Sequence, residues 1–388
     1  MPWAAGVPPT WKGGRVSDYS PVGAREHVSQ AGPQAVVRPA GGDPDALFAA
    51  DDAAPTRPIP IIAERRLADT GLSVFPFALG TGKLATVDEG VAERILHRFA
   101  VRGGDLYDVS DDDGSGRSQE IVGARRAQRA PRGPLTMLTP SIARDGGRAS
   151  GGRRVARAVE AALTRLRCER IDLLMLDLRE EAAQGLAMSE LLGAAEELVT
   201  AGKVRHVGAS AGSGAALLEA RVLAGDGLPR IVAARLDWSI TDKPAAAEEA
   251  RMVAAAQQIA LLPDATTTSL ALASPSLAPK VLAGWGQARR AQAMTARLAR
   301  PERERAADAL GGRGREHRIA VALDRVSAEL GIAPATTQLA WLLAKRGVVA
   351  PIVRATRPEQ VDMLMDAAGV RLTRGHMLEL DRAVETPR

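Results

Sequence analysis

The chain has 388 residues, 46% hydrophobic and only 3% aromatic, with a formal net charge of +5. That is enough chain for a full core built from Leu, Val, Ile and Ala, while the single Cys168 excludes an intrachain disulfide framework and reads as a small buried side chain in a reducing compartment. No run approaches the ~18 apolar residues of a membrane span, and the opening MPWAAGVPPTWKGG has neither the charged start nor the apolar stretch of a secretory leader, so the expected location is cytoplasmic, with no membrane partner. The positive charge is mostly arginine, since the only lysines are Lys12, Lys83, Lys203, Lys243, Lys280 and Lys345. These basic residues alternate with Asp and Glu along most of the chain, the pattern of solvated helix faces and not of a nucleic-acid surface.

Residues 1–65 are rich in Pro, Gly, Ala and Asp without a sustained period, and are expected to form a disordered or loosely attached extension. From residue 66 to 388 the text is that of one domain. Val74 to Leu79 predicts a strand, with Gly80-Thr81-Gly82 as the turn at its end. Thr86 and Glu89 have capping-box spacing, and Val91, Ile95 and Phe99 then mark one helical face. Asp105 to Val109 alternates like a half-buried strand; the polar loop DDDGSG follows, and Ser118 is placed to cap the helix that Ile121 and Val122 begin. Leu135 to Thr139 predicts a third strand, and Val155, Val159, Leu163 and Leu166 form the next apolar stripe. Ile171 to Leu176, with one acid at Asp172, reads as a strand buried on both sides. Met188, Leu191, Leu192, Leu198 and Val199 mark a helix closed by Gly202. Strands near Ile231 to Leu236 and Ile259 to Pro263 follow. A helix over Pro334 to Lys345, a last strand over Val349 to Val353, a second capping box at Thr356-Arg357-Pro358-Glu359 and a last helix over Thr373 to Val384 complete the chain. A succession of strand and helix with carboxylates where strands end is what a barrel's rim looks like, and the length suits an α/β fold, one (β/α)8 TIM barrel with extras.

Several stretches resemble the aldo-keto reductase family. Asp105 to Gly123 keeps that family's pattern at Asp108, Gly114, Gly116, Ser118, Glu120 and Gly123. RRLADTGLSVFPFALGTGKL from Arg65, RLRCERIDLLMLD from Arg165, AGKVRHVGAS from Ala201, PATTQLAWLLAK from Pro334 and IVRATRPEQVDML from Ile352 follow in the family's order and spacing. The resemblance covers about residues 65 to 388. It implies carbonyl reduction with hydride from NADP and a proton from a tyrosine that a lysine and a histidine tune, with an aspartate paired to the lysine. By position the aspartate is Asp108. The tyrosine is replaced by Asp113, the lysine by Pro140 and the histidine by Asp177, so the resemblance is to a degenerate member with three of four positions changed.

The substitutes are poorly matched to that chemistry. A carboxyl that titrates near ~4 in water must rise to about neutrality before Asp113 can donate a proton, a change worth about 4 kcal/mol. Burial could supply it, as in sites that keep a neutral acid, and the adjacent Asp111 and Asp112 push the same way. An ionised carboxylate ~4 Å from the developing alkoxide repels it by ~4 kcal/mol at an effective dielectric of ~20. No stand-in is evident: Tyr19 lies in the extension, Tyr107 points away from Asp108's side of the strand, and His27, His97, His206, His317 and His376 lie away from strand ends. Lys83 reads as a solvated loop lysine. A divalent-metal site on Asp108, Asp113 and Asp177 is the rival use of these acids, but DDDGSG lacks calcium-loop spacing, and no metal is assigned.

What the resemblance implies for NADP is partly preserved. Gly80 and Thr81 lie in the turn after the first strand. Ser210 stands at the serine that holds the nicotinamide carboxamide, although Ala211 replaces the asparagine after it. Trp238 falls where an aromatic stacks on the nicotinamide, with a core tryptophan as the plainer reading. Arg235 replaces a glutamine that contacts the carboxamide, and a guanidinium there would disfavour the cationic oxidised ring while tolerating the neutral reduced one. In the eighth unit Gln360 is kept, Arg354 replaces a glycine, Thr356 a basic residue and Leu364 an asparagine. A helix N-terminus with Arg354 and Arg357 still favours a phosphate. The pyrophosphate loop is not recognisable, and Thr266 to Ser269 offer only hydroxyls. Arg289 to Arg318 is arginine-rich, but Glu302, Glu304, Asp308 and Glu316 interrupt it, against a nucleic-acid partner.

Two readings stand. In the first, a reductase-derived barrel has lost proton-transfer chemistry, is pseudoenzyme-like, and keeps weak NADP or metabolite binding or serves a protein partner. In the second, an active NADP-dependent oxidoreductase acts on aldehydes, ketones or alcohols through a rebuilt proton-transfer site.

Overall fold

The computed structural model describes residues 64–127, 135–140, 151–178, 187–241, 245–265 and 302–385, the side chains of 302–314 excepted. The extension read over 1–65 lies outside the described residues up to position 63, as do Thr266 to Ser269 and the arginine-rich stretch up to residue 301.

Ten strands occur among the described residues. β1 (Arg65–Arg66) and β2 (Ser73–Val74) form a small antiparallel hairpin. The other eight are β3 (Ala78–Gly80), β4 (Leu106–Ser110), β5 (Leu135–Thr139), β6 (Ile171–Asp177), β7 (Val204–Ser210), β8 (Ile231–Leu236), β9 (Ala260–Pro263) and β10 (Ile352–Val353). They pair in parallel in the order β10-β3-β4-β5-β6-β7-β8-β9. Parallel bridges from Leu261 to Val348 and from Asp264 to Ile352 join the two ends of that order. With helices between successive strands, the chain is a (β/α)8 TIM barrel.

The inside of the barrel and the layer outside it are two separate apolar clusters. Leu106, Met137, Leu173, Met175, Ala233, Leu262 and Ile352 fill the interior together with Leu67, Leu72 and Val74, so the β1–β2 hairpin seals one end. Alternate residues of the same strands, including Tyr107, Val109, Leu138, Leu174 and Leu176, face the helices. Those helices are α1 (Glu89–Val101), α2 (Arg117–Ala127), α3 (Gly151–Leu166), α4 (Met188–Thr200), α5 (Gly214–Gly225), α6 (Ala245–Ala256), α7 (Glu302–Leu330), α8 (Pro334–Leu343), α9 (Pro358–Asp366) and α10 (Arg374–Val384). α1 buries Ala92, Ile95, Leu96 and Phe99, and Arg102 just past its end donates to Asp362 (3.1 Å) and Asp366 (2.7 Å), fastening it to α9. α2 and α3 approach so closely that a Cβ on Gly123 would sit 2.1 Å from the Arg165 carbonyl oxygen. None of the described helices is long and apolar enough to cross a membrane.

Several boundaries differ from the sequence reading, each for a local reason. The strand expected over Val74 to Leu79 is split. Pro76 has no N–H for a ladder, so Val74 stays with the hairpin and the barrel strand starts at Ala78. Pro351 likewise shortens the eighth strand to Ile352–Val353. Thr86 does not cap α1: its hydroxyl turns back to the Lys83 carbonyl (2.8 Å) inside a 3-10 helix over Thr81–Thr86, and Asp88 caps instead, accepting from Gly90 N (2.9 Å). Ser118 lies within α2 and its hydroxyl reaches back to the Asp113 carbonyl (3.4 Å). At α9 the Gln360 side chain is the cap: its Oε1 accepts from Thr356 N (2.8 Å) and Arg357 N (3.1 Å). Thr373 caps α10, accepting from His376 N (3.2 Å).

Candidate active site at the strand ends

Strand register decides which residues line the mouth. Asp177 on β6 pairs with Ser210 on β7, and Ser210 with Arg235 on β8. Aligned residues on parallel neighbours face the same side, so these three share the inner face. Two residues below them are the interior Met175 and Ala233; likewise Asp108 stands two beyond Leu106, Thr139 two beyond Met137, Asp264 two beyond Leu262 and Arg354 two beyond Ile352. The last inward layer therefore holds Asp108, Thr139, Asp177, Ser210, Arg235, Asp264 and Arg354, directly above an apolar interior.

Four of these form one chain of ion pairs across the mouth. Arg235 donates from Nη1 to Asp108 Oδ2 (3.3 Å) and from Nη2 to Asp264 Oδ2 (2.6 Å). Arg354 donates from Nη2 to the same Asp264 oxygen (2.9 Å) and from Nη1 to Asp264 Oδ1. All are largely buried, with Asp264 at 6% and Asp108 at 7% side-chain exposure. Two guanidiniums hold the Asp264 carboxyl far below the usual carboxylate range despite its burial. Asp108 goes the other way: burial raises it, Arg235 and Arg354 pull it back, and Asp264 adds to the rise. Burial opposes the charge on Arg235, but Asp108 and Asp264 raise its pKa above the ordinary value.

Asp113, which the sequence reading set at the tyrosine position, reaches this layer from the loop after β4. Its carboxyl lies over Gly82, where a Cβ would meet Oδ1 at 2.6 Å. Burial first, then the charge of Asp108, push its pKa to about 6, while Arg354 and Arg235 oppose. The loop closes through Gly116, whose φ of +89° suits only glycine, with Arg165 Nε 2.6 Å from where a Cβ would be. Pro140, buried just past β5, has no N–H to give. Asp177 is buried at the end of β6. Among the described residues no group of three or more His, Cys, Asp and Glu is placed to hold a metal ion.

The cofactor positions divide. Thr81 is buried and its hydroxyl donates to the Asp108 carbonyl (3.0 Å), tying the turn after β3 to β4. Gly80 lies beneath Arg354: a Cβ there would be 3.0 Å from Arg354 Cγ. Ser210 is fully buried with an unpartnered hydroxyl in the mouth, suited to a ligand's amide. Trp238 is elsewhere. Its ring packs on Trp341 of α8 (5.9 Å between centroids) under the Arg251 guanidinium of α6 (5.7 Å), in the outer core. Arg235 is no bare guanidinium, because two carboxylates compensate it. Arg354 is committed to Asp264, and Gln360 already occupies the N–H groups of Thr356 and Arg357 at the start of α9. The serine thus fits a nicotinamide, whereas a phosphate at α9 must compete with internal partners.

Sequence reasoning missed Asp264 and Thr139. The signal for Asp264 was strand parity, an acid two residues after an inward leucine, together with two inward arginines that required a counter-charge. Tyr107 faces outward as expected, edge-on to Phe99 (5.4 Å).

These features define the class: a (β/α)8 barrel with charged residues at its strand ends, the place where such barrels carry their sites. The description "Aldo/keto reductase family" matches residues 76–385, and the chain belongs to that family. It is also similar to norsolorinic acid reductase stcV of Emericella nidulans, 25% identical over 334 residues that cover 81% of this chain and 79% of that protein.

Proposed function

We propose that this aldo/keto reductase barrel has lost the proton-donating step of carbonyl reduction and retains its mouth as a small-molecule site with weak NADP binding. The carrying observation is the ion-pair chain Asp108–Arg235–Asp264–Arg354, with Asp113 beside it where the family has tyrosine. An alkoxide formed there would face carboxylates in place of a hydroxyl, an ammonium and an imidazole, and uncompensated negative charge is what a reduction site must avoid. Two guanidiniums are present, but each already serves Asp264. Ser210 would hold the carboxamide of a nicotinamide, a group that supplies hydride when bound; Arg354 and Arg357 would meet the phosphates only after rearrangement.

A second reading has one observation in its favour. With its pKa near 6, Asp113 is protonated in about a tenth of molecules at pH 7. General acid catalysis is typically worth 10²–10⁴-fold, so a neutral Asp113 could sustain slow reduction of aldehydes or ketones. Titration with NADPH, following nicotinamide fluorescence, and then an aldehyde panel separate the readings. Weak binding without consumption of NADPH supports the first. Steady consumption that falls as pH rises through 6 to 7 supports the second and overturns the first.

A further inference from the structure

At the end of the barrel opposite the mouth, a cavity of about 340 Å³ opens between α5 and α6. Its floor is made by three buried side chains: Leu217 of α5, Ile231 at the start of β8 and Ile259 just before β9. Ile231 lies four residues before Arg235, about 13 Å along the strand, so this space is separate from the ion-pair chain at the mouth. Cavities of about 300–1,000 Å³ are the size that holds small molecules, and this one falls at the lower end.

The polar rim of the cavity carries charge of one sign. Arg221 follows Leu217 by one helical turn on the same face of α5, and Arg230 immediately precedes β8. Gln257 and Gln258 come from the turn that leaves α6. Among the described residues no carboxylate lines the cavity. The carbonyls that end α6 are already used: those of Val253, Ala254 and Ala255 accept from Gln257 N (3.0 Å), Ile259 N (2.9 Å) and Gln258 N (3.4 Å). Arg221 has no ion-pair partner among the described residues. Arg230 has one, Asp69 (3.0 Å), and an exposed pair of this kind is worth about 0–1 kcal/mol, so its guanidinium can be shared with a ligand.

We propose that this cavity binds a small organic anion, a carboxylate carried on an apolar body. The carboxylate accepts N–H bonds from Arg221 and Arg230, whose planar guanidiniums match its geometry, and the body covers Leu217, Ile231 and Ile259. Gln257 and Gln258 add amide donors at the rim. A bare inorganic anion would leave the apolar floor wet, and a neutral apolar molecule would use neither guanidinium. A cation would meet two like charges with no acid to offset them. The proposal concerns the opposite end of the barrel from the nicotinamide reading and does not depend on it.

The test is calorimetric titration of the full chain at pH 7.5 and low salt, with 2-naphthoate, 2-naphthalenemethanol and inorganic phosphate as probes. Naphthoate should bind at least about 5-fold more tightly than either the alcohol or phosphate, and high salt should weaken it. Arg221→Gln and Arg230→Gln should each weaken naphthoate by about 3- to 10-fold with unchanged circular dichroism. Ala256→Trp, which sets an indole into the cavity from the end of α6, should abolish binding. Hydrogen exchange locates the ligand: naphthoate should protect amides in 214–231 and 256–261 and leave the strand ends at the mouth unchanged. The proposal is overturned if the alcohol or phosphate binds as tightly, if neither arginine variant matters, if Ala256→Trp binds like wild type, if protection appears only at the mouth, or if no probe binds.

Discussion

Asp264→Asn isolates the network at the mouth with almost no change of volume. Asp264 keeps only 6% side-chain exposure, accepts from two guanidiniums, and takes both terminal nitrogens of Arg354. Removing one charge from a buried pair costs about 3–5 kcal/mol, because the other charge is left uncompensated. Here Asp108 still faces Arg235, which places the expected loss near the lower end, about 3 kcal/mol. At ~2.1 cal/mol/K of unfolding entropy per residue, a barrel of ~320 residues loses roughly 1.5 °C per kcal/mol, so its melting temperature should fall by roughly 5 °C. Differential scanning fluorimetry reads the shift, and urea unfolding checks it. Adding Arg354→Met to the variant should recover at least half of the loss, because the orphaned charge is gone. A melting temperature within ~1 °C of wild type, or two losses that simply add, would refute the idea that these residues form one coupled unit.

Mild acid should stabilise the protein through Asp113. Its folded pKa, about 6, lies above the unfolded ~3.9, so the folded state binds the proton first and stability rises as pH falls from ~6.5 to ~4. Partial exposure limits the gain to about 1–2 kcal/mol, and in Asp113→Asn the denaturation midpoint should lose that part of its pH slope. Gly123→Ala should be severe for a different reason, since its methyl would lie 2.1 Å from the Arg165 carbonyl. α2 and α3 must separate, at a cost of about 1–3 kcal/mol or more by overpacking, with poor soluble expression as the readout. The triple variant Asp113→Tyr, Pro140→Lys, Asp177→His should acquire NADPH-dependent aldehyde reduction above the wild-type rate if the mouth can seat the cofactor. An inactive but folded variant that binds no NADPH would show that Arg354 and Gln360 block the phosphates.

Local pattern carried much of the fold. β5 and β8 run over Leu135–Thr139 and Ile231–Leu236, the ranges their apolar runs predict, because a strand buried on both faces has few places to stop. Boundaries slipped where single residues outweighed pattern: Pro76 and Pro351 broke ladders, and Asp88 outcompeted Thr86 as a cap. The site was legible position by position but not as a network. Arg235, taken alone, looked like a stray positive charge; its meaning depends on Asp264, 29 positions later, and on Asp108, 127 positions earlier. Such pairing across the barrel leaves no local period to read. Trp238 shows the same limit, since its packing on Trp341 is set by a helix about a hundred residues away.

Side-chain carboxyl NMR across pH 3 to 8 addresses the network most directly. The account predicts that the Asp264 carboxyl stays ionised throughout that range, while Asp113 titrates with a midpoint near 6. An Asp264 midpoint near ~4, the value of a carboxyl in water, would contradict it by showing that no guanidinium pair is holding that charge.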